Sequence, residues 1–354
     1  MFADFYENDV EEKTWFSNLF GFTEGKVNFK KIKENFTVSE KDNNTTLLCK
    51  HNNRSFQIGN FSTPSLKELQ DDVGHIKKKD KVLRIHHMIT TDILSEHSKN
   101  PGALFQVASQ FNCLEMINPR NTPELGITIY EYDNTQGPSC ALACASSTLY
   151  RNYLVPIKIN NSTGGIKTHI GQTEKVQINN FEDVEKVLKV PYFWNENGYL
   201  YSTTKDLSAL NLIIGDYQDQ IMNHLKFGVC YNTEVCFTKR FVQSRKKVLV
   251  SQIFCSAISC SYSGIPVDYW EPLARLILKS CYKATLLAGI LNHRYGGSNK
   301  VFLTFIGGGA FGNKLEWITD AINYAIDSVR HANLDIYICH YGVFNDDVIS
   351  QIKI

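Results

Sequence analysis

The segment Val301-Phe-Leu-Thr-Phe-Ile-Gly-Gly-Gly-Ala-Phe-Gly-Asn313 constrains this chain more than any other. Its first half is apolar, β-branched and aromatic, the composition of a buried strand. Three glycines follow, which let the chain turn sharply and bring bare backbone N–H groups near a ligand. Beyond them Leu315, Ile318, Ile322, Ala325, Ile326 and Val329 recur on one helical face. Asn313 is the expected N-cap, with Glu316 three residues on in the capping position. Strand, glycine loop and helix N-terminus together favour an anionic group, most often a phosphate. A tight strand-to-helix turn without a ligand has the same sequence pattern.

Other segments repeat the strand–helix alternation. The run 103–108 suits a short buried strand and ends in the polar cluster Ser109-Gln110-Phe111-Asn112. In open α/β sheets that edge is where ligands bind. After a loop carrying Glu115, Glu124 and Asp133 comes Asn134-Thr-Gln-Gly-Pro138, then a helix of small residues over 139–150. Residues 247–254 form a strand, 272–291 a long helix opened by Pro272, and 334–339 the closing strand. The fold class is therefore α/β with a largely parallel or mixed sheet. Residues 1–95 read as an N-terminal extension packing on the core, and 155–245, with its Asn160-to-Gly165 loop, as an insertion or lid on a 96–354 domain.

Bulk properties exclude several functions. Net charge is +1, so there is no electrostatic footprint for nucleic acid, and the clusters Lys77-Lys78-Lys79 and Arg245-Lys246-Lys247 read as solvated turns. No stretch approaches the roughly 20 apolar residues that span a bilayer, and the acidic, aromatic start is unlike a secretory leader. The 10 cysteines lack Cys-x-x-Cys spacing, which points to reduced, buried thiols in a cytoplasmic protein. His169, His224, His293 and His340 show no metal-ligand spacing, so neither a metal nor a cofactor is expected. No Gly-x-Ser-x-Gly elbow supports a serine triad.

Taken together, these segments resemble the macro-domain superfamily, the ADP-ribose-binding α/β/α fold. Ser109-Gln-Phe-Asn112 and Thr135-Gln-Gly-Pro138 are similar to its Asn-bearing loop and first glycine loop, and Gly307-Gly-Gly-Ala-Phe-Gly312 to its second phosphate loop, with Phe311 in the aromatic place. Tyr341 or Phe344 stands where the family commonly stacks an aromatic on adenine. The strings Phe105-Gln-Val-Ala-Ser-Gln-Phe-Asn-Cys-Leu-Glu115, Thr135-Gln-Gly-Pro-Ser-Cys-Ala141 and Tyr150-Arg-Asn-Tyr153 resemble the MavL-type ADP-ribosylhydrolase branch, which acts on ADP-ribosylated ubiquitin. The implied fold is a three-layer α/β/α macro-domain-like mixed sheet. The implied partners are ADP-ribose or an ADP-ribosylated protein, ubiquitin being one such protein. Two departures stand out. Gln136-Gly137-Pro138 replaces the family's Gly-Gly-Gly-Val loop, and no paired glutamates follow 307–309, which argues against the removal of poly(ADP-ribose) by that machinery.

Under this resemblance each part of ADP-ribose has a counterpart. The pyrophosphate falls to the N–H groups of Gly137, Gly307, Gly308, Gly309, Ala310, Phe311, Gly312 and Asn313, beside Pro138. The ribose hydroxyls fall to Asn112 and Gln136, with Gln110 and Gln252 at neighbouring strand ends. Cleavage at the anomeric carbon passes through an oxocarbenium-like state, which needs a positioned water and a nearby carboxylate. Asp133 is the first choice because it directly precedes the Gln-Gly-Pro loop; Glu115 and Glu124 are reserves, and Asp268 a distant one. Each is equally read as an ordinary loop acid. Three functions follow: a hydrolase releasing mono-ADP-ribose from a protein side chain, a module that binds ADP-ribose or a related nucleotide without turnover, and a scaffold that has lost the site.

Overall fold

The computed structural model describes residues 14–26, 29–41, 44–76, 83–160 and 165–352. Its centre is a seven-stranded sheet of β1 (Asn60–Ser62), β2 (Arg84–Thr90), β3 (Leu104–Ala108), β4 (Gly228–Glu234), β5 (Leu249–Cys255), β6 (Lys300–Leu303) and β7 (Asp335–Tyr341). The spatial order is β1-β4-β5-β3-β6-β7-β2. The five strands from β5 to β2 are parallel, while β4 opposes both of its neighbours.

Alternation along the central strands builds two cores. Leu104, Ile253, Val301, Leu303, Ile336 and Ile338 face one way, under α1 (Leu66–Val73), α5 (Thr204–His224), α6 (Val267–Arg294) and α7 (Leu315–Ser328). Phe105, Val107, Phe254 and Phe302 face the other, under α2 (Ile93–Lys99), α3 (Gln136–Ala143) and α4 (Ala145–Tyr153). An antiparallel sheet of 36–41, 44–49 and 54–57 extends this second layer. The fold is thus a three-layer α/β/α mixed sheet. Each fully buried Leu, Ile or Phe stabilises it by about 1.5–3 kcal/mol.

The segment divisions differ from the sequence reading. Residues 60–62 and 84–90, within the expected extension, are the two edge strands of the sheet, so that segment is woven into the core. Likewise β4 and α5 come from the expected insertion and complete the sheet and one helical layer. The cause is topological: an edge strand can be supplied from anywhere in the chain, and its short apolar run carries no sign of its neighbours. The helix expected over 139–150 begins at Gln136 and breaks at Cys144 into α3 and α4. Pro272 sits inside α6, which starts at Val267. The first nine residues, the Lys77-Lys78-Lys79 cluster and residues 161–164 lie outside the described residues.

The site is positioned by a gap in the sheet. β3 stays paired with β5 as far as Ala108, but pairs with β6 only at Leu104 and Phe105. Beyond that the two strands part. β3 leads towards α3 on one face, and β6 towards α7 on the other. A crevice between strands whose connections leave to opposite faces is the usual ligand site of an open α/β sheet.

Candidate functional site

Side-chain amides fill the gap that the backbone leaves. Gln136 Oε1 accepts the Ala108 N–H at 2.7 Å, and its Nε2 donates to the Gln106 carbonyl at 2.6 Å, which mimics a strand. Gln106 in turn accepts the Thr304 N–H at 3.2 Å and donates to Thr285 at 2.8 Å. The Tyr282 hydroxyl donates to the Thr304 carbonyl at 2.6 Å and accepts the Ile306 N–H at 3.1 Å. The two loops leaving β3 and β6 are therefore pegged to one buried polar network.

Above the pegs opens a cavity of about 650 Å³, within the roughly 300–1,000 Å³ of small-molecule pockets. One wall is the start of α3, where Gly137 allows a close approach: a Cβ there would lie 2.0 Å from the Ala108 carbonyl oxygen. The opposite wall is the 304–312 loop. Gly307 takes φ 73°, and the loop closes through Gly308 N–H to Phe305 O, Gly312 N–H to Gly309 O and Asn313 N–H to Gly307 O, at 2.9–3.1 Å. The N–H groups of Gly309, Ala310 and Phe311 have no acceptor among the described residues, and all three residues line the cavity. Three successive free donors make an anion-binding concavity. No lysine or arginine among the described residues lines it. An anion here would meet backbone dipoles rather than a cationic side chain.

The cavity brings together most of the sequence-derived candidates: Gln110, Glu115, Asp133, Gln136, Gly137, Pro138, Gly307, Gly309, Ala310, Phe311 and Tyr341. Several have different work from that expected. Gln110 is occupied by the Met116 backbone and the Tyr199 hydroxyl. Gln136 is the strand peg, with one amide hydrogen and one lone pair of its oxygen committed to the Gln106 and Ala108 backbone. Tyr341, 77% exposed, stands at the mouth.

Other candidates lie outside the cavity. Asn112 is fully buried, accepting the Leu114 N–H and donating to Gln177, which fixes the turn after β3. Gln252 donates to the Cys140 carbonyl and lies 3.1 Å from His97 Nε2, in the core between β5 and the α2–α3 layer. Glu124 is exposed and holds the Glu174 N–H; Asp268 is exposed and paired with Lys314. Gly308 backs onto Ile318 and Gly312 onto Ser261. Asn313 does not cap α7, whose N-cap is Lys314 without a side-chain bond. Its amide instead donates to the Ile258 and Gly307 carbonyls and ties the loop to the one after β5.

The two carboxylates on the cavity differ sharply. Glu115 is completely covered, meets Arg151 Nη2 through both oxygens at 3.2 and 3.0 Å, and lies against Gly137. Burial pushes its carboxyl up to about 7 against the pull of Arg151. Asp133 is half-buried; it accepts the Thr135 N–H at 2.7 Å, and its carbonyl takes a hydrogen bond from Arg240. Tyr199 and Tyr262, whose rings lie 5.7 Å from Phe311, also line the cavity, as does His340. Neither Tyr199 nor Tyr262 was singled out as a site residue from sequence, because what each faces is set by topology. His340 Nδ1 accepts the Asn345 N–H, so its proton sits on Nε2 and points to His87 Nδ1 at 2.9 Å. All 10 cysteines are free and buried; Cys339, on the cavity, is pushed up to about 12 by burial and is a poor nucleophile. Among the described residues no cluster of His, Cys, Asp and Glu could hold a metal ion, and no helix is long and apolar enough to cross a membrane.

No protein-family model matches the chain, and no curated protein does. Among solved structures the fold is similar to poly(ADP-ribose) glycohydrolase from Thermomonospora curvata, with a TM-score of 0.42 and 11% identity over 92% of this chain and 95% of that one. It is also similar to a point variant of poly(ADP-ribose) glycohydrolase from Deinococcus radiodurans in complex with ADP-ribose, with a TM-score of 0.45 and 9% identity over 82% and 91%. Similarity of this degree carries no functional weight. The cavity must speak for itself.

Proposed function

We propose that this cavity binds ADP-ribose and that the chain hydrolyses the bond joining mono-ADP-ribose to a protein side chain. The observation that carries the reading is the run of free N–H groups at Gly309, Ala310 and Phe311, facing the α3 N-terminus across the crevice at the sheet's switch point. Two sets of backbone donors without a cation suit a pyrophosphate. Tyr341 at the mouth offers a face for a base, and the Tyr199–Tyr262–Phe311 cluster an apolar wall. Asp133 is the accessible carboxylate. In the proposed step the bond from the anomeric carbon to the side chain breaks, its electron pair leaving with the side chain. The charge of Asp133 stabilises the oxocarbenium-like state, and Asp133 takes a proton from the water that adds to that carbon and passes it to the departing side chain.

A second reading, binding without turnover, is favoured by one observation: Asp133 is already engaged by the Thr135 N–H, and Glu115 is sealed behind Gly137. One experiment separates the two. Calorimetry with ADP-ribose should show binding that Asp133→Asn retains. Mono-ADP-ribosylated protein, with ADP-ribosylated ubiquitin as one substrate, should release free ADP-ribose with wild type and not with Asp133→Asn. Binding without release supports the module; no binding removes both readings.

A further inference from the structure

The loop that carries Asp133 is held from a distant part of the chain. Between Ala108 and Gln136 the chain forms two 3-10 turns, Pro123–Leu125 and Thr128–Tyr132, and Asp133 closes the second by donating its N–H to the Tyr130 carbonyl. Such a turn leaves its leading N–H groups without partners of its own. Here Glu24 takes two of them: Oε1 accepts the Ile127 N–H at 3.0 Å and Oε2 the Thr128 N–H at 2.6 Å. The Tyr153 hydroxyl donates to Oε1 at 2.7 Å and fixes the carboxylate from the α4 side. Gly126, at φ 86°, gives the carboxylate room, since a Cβ there would lie 2.5 Å from Glu24 Cδ and Oε2. Trp15 adds a further tie, its indole N–H donating to the Thr128 carbonyl at 3.1 Å.

Glu24 is an unusual residue for packing alone. It is 3% exposed, and the groups that act on it are Ile127, Thr128 and Tyr153, with no cation among them. Burial raises its carboxyl above the ordinary range. A buried carboxylate without a cation costs the fold desolvation energy. What it supplies is acceptor capacity on both oxygens, so that two successive N–H groups and a hydroxyl are satisfied at once. A glutamine has one acceptor atom, and whichever way its amide is turned, one loop N–H would meet a donor. The residue type is therefore explained by the loop and not by the core around it.

We infer that Glu24 is a positioning residue: it holds the 127–133 segment so that the Asp133 carboxylate stays at the cavity. The inference rests on the function proposed above, in which Asp133 is the reacting carboxylate. The Thr128–Tyr132 turn is secured at its start by Glu24, at its middle by the Tyr130 hydroxyl, which accepts the Glu115 N–H at 3.0 Å, and beyond its end by Arg240 on the Asp133 carbonyl. Of these, Glu24 bonds the leading N–H groups, so releasing it lets the turn unwind towards Asp133. A shift of about 1 Å in a reacting group is enough to cost about a hundredfold in rate. The donors at Gly309, Ala310 and Phe311 lie on the opposite wall and are untouched. Rate and ADP-ribose affinity should therefore separate.

Two variants test this, at a temperature well below the Tm of each. Glu24→Gln takes an acceptor from the loop. Tyr153→Phe removes a bond to the same carboxylate and leaves both loop N–H groups bonded, so both variants should lower the Tm. Amide hydrogen exchange over 127–133 should be at least about tenfold faster in Glu24→Gln and unchanged in Tyr153→Phe, with 301–328 unchanged in both. With mono-ADP-ribosylated protein, kcat should fall at least about tenfold in Glu24→Gln only, while KM and the calorimetric Kd for ADP-ribose stay within about twofold of wild type. If Glu24→Gln does not fold, Glu24→Asp replaces it, its side chain being a methylene too short to reach both N–H groups. Wild-type exchange over 127–133 or a wild-type kcat in the Glu24 variant overturns the inference. So does an equal fall of kcat in Tyr153→Phe, which would make Glu24 a packing residue. A wild type that binds ADP-ribose and releases none defeats the proposed hydrolysis, and exchange then decides alone whether Glu24 holds the loop.

Discussion

Two loops face each other across the cavity. The one entering α3 is held from behind by side chains: Gln136 replaces a missing strand, and Glu115, clamped by Arg151, fills the space under Gly137. The one leaving β6 is tied down at its two ends by side chains, Gln106 and Tyr282 at Thr304 and Ile306 and Asn313 at Ile258, while between them it closes through its own backbone at Phe305, Gly307 and Gly309. The first is backed by polar side chains whose partners are specified. The second is open, and its unused N–H groups belong to residues that line the cavity. One loop spends its polar groups on being rigid, whereas the other keeps them for a ligand. Substitutions in the first should therefore act on stability and reach binding only through the peg, whereas substitutions in the second should act on binding directly.

Arg151→Met should have the largest effect. It removes both contacts to Glu115 and the hydrogen bonds to Cys113 and Thr148, and leaves a buried carboxyl unpaired, at a cost of about 3–5 kcal/mol. Pairing it with Glu115→Leu should restore part of that loss in urea unfolding; no recovery would mean that Arg151 acts through packing on Phe254 instead. Gly137→Ala comes next, at about 3 kcal/mol, because its methyl would meet backbone oxygen rather than a movable side chain. A variant with the wild-type Tm would show that the loop is not wedged.

Glu115 also gives the first loop a pH signature. Its carboxyl is raised in the folded state, so the protonated form is the one that folding favours. That contribution is full below the ordinary carboxylate range near 4.5 and is lost as pH rises through about 7. Stability should fall across that window by no more than about 1.4 kcal/mol per pH unit, and Glu115→Gln should flatten the slope. A wild-type profile that is level from pH 5 to 7 would place the charge permanently on Glu115.

The contrast also explains what the sequence could reveal. The 301–313 segment was legible because an exposed glycine loop between two periodic elements leaves its mark in local order. The free donors at Gly309 to Phe311 follow directly from it. The first loop was legible only as a position. Gln136 looked like a ribose ligand because glutamine can donate and accept, and nothing local shows that β3 and β6 part after Phe105 and need a peg. Asn112, Gln252 and Asn313 misled in the same way: each amide is consumed inside the protein, Asn112 by the Leu114 N–H and the Gln177 side chain, Gln252 by the Cys140 carbonyl and Asn313 by the Ile258 carbonyl. The places of Tyr199 and of the edge strands were not legible, because their neighbours are set by topology.

Gln136→Glu should separate pegging from ligand contact with a smaller effect. An ionised glutamate still accepts the Ala108 N–H but faces the Gln106 carbonyl without a proton to offer. A protonated glutamate both donates and accepts, as the amide does. ADP-ribose affinity of the variant should drop roughly tenfold at pH 8, about 1.4 kcal/mol, and recover towards pH 5. Wild type should show no such recovery. A loss independent of pH would return Gln136 to the ligand.

Gly309→Ala is expected to change stability least, and that makes it the sharpest test of the second loop. No atom lies within 4 Å of the position where its Cβ would stand, and its φ is not in the left-handed range. A methyl is therefore accommodated, and the Tm should stay within the change expected for about 0.5 kcal/mol. Yet the residue lines the cavity and carries one of the three free N–H groups. A side chain beside that donor should hinder the approach of an anion, and Gly309→Glu should abolish it by placing a carboxylate there. The expected result is a protein as stable as wild type with ADP-ribose affinity reduced at least about tenfold for alanine and lost for glutamate. If Gly309→Glu binds normally, the free donors are not the anion site, and the division of labour between the two loops fails with it.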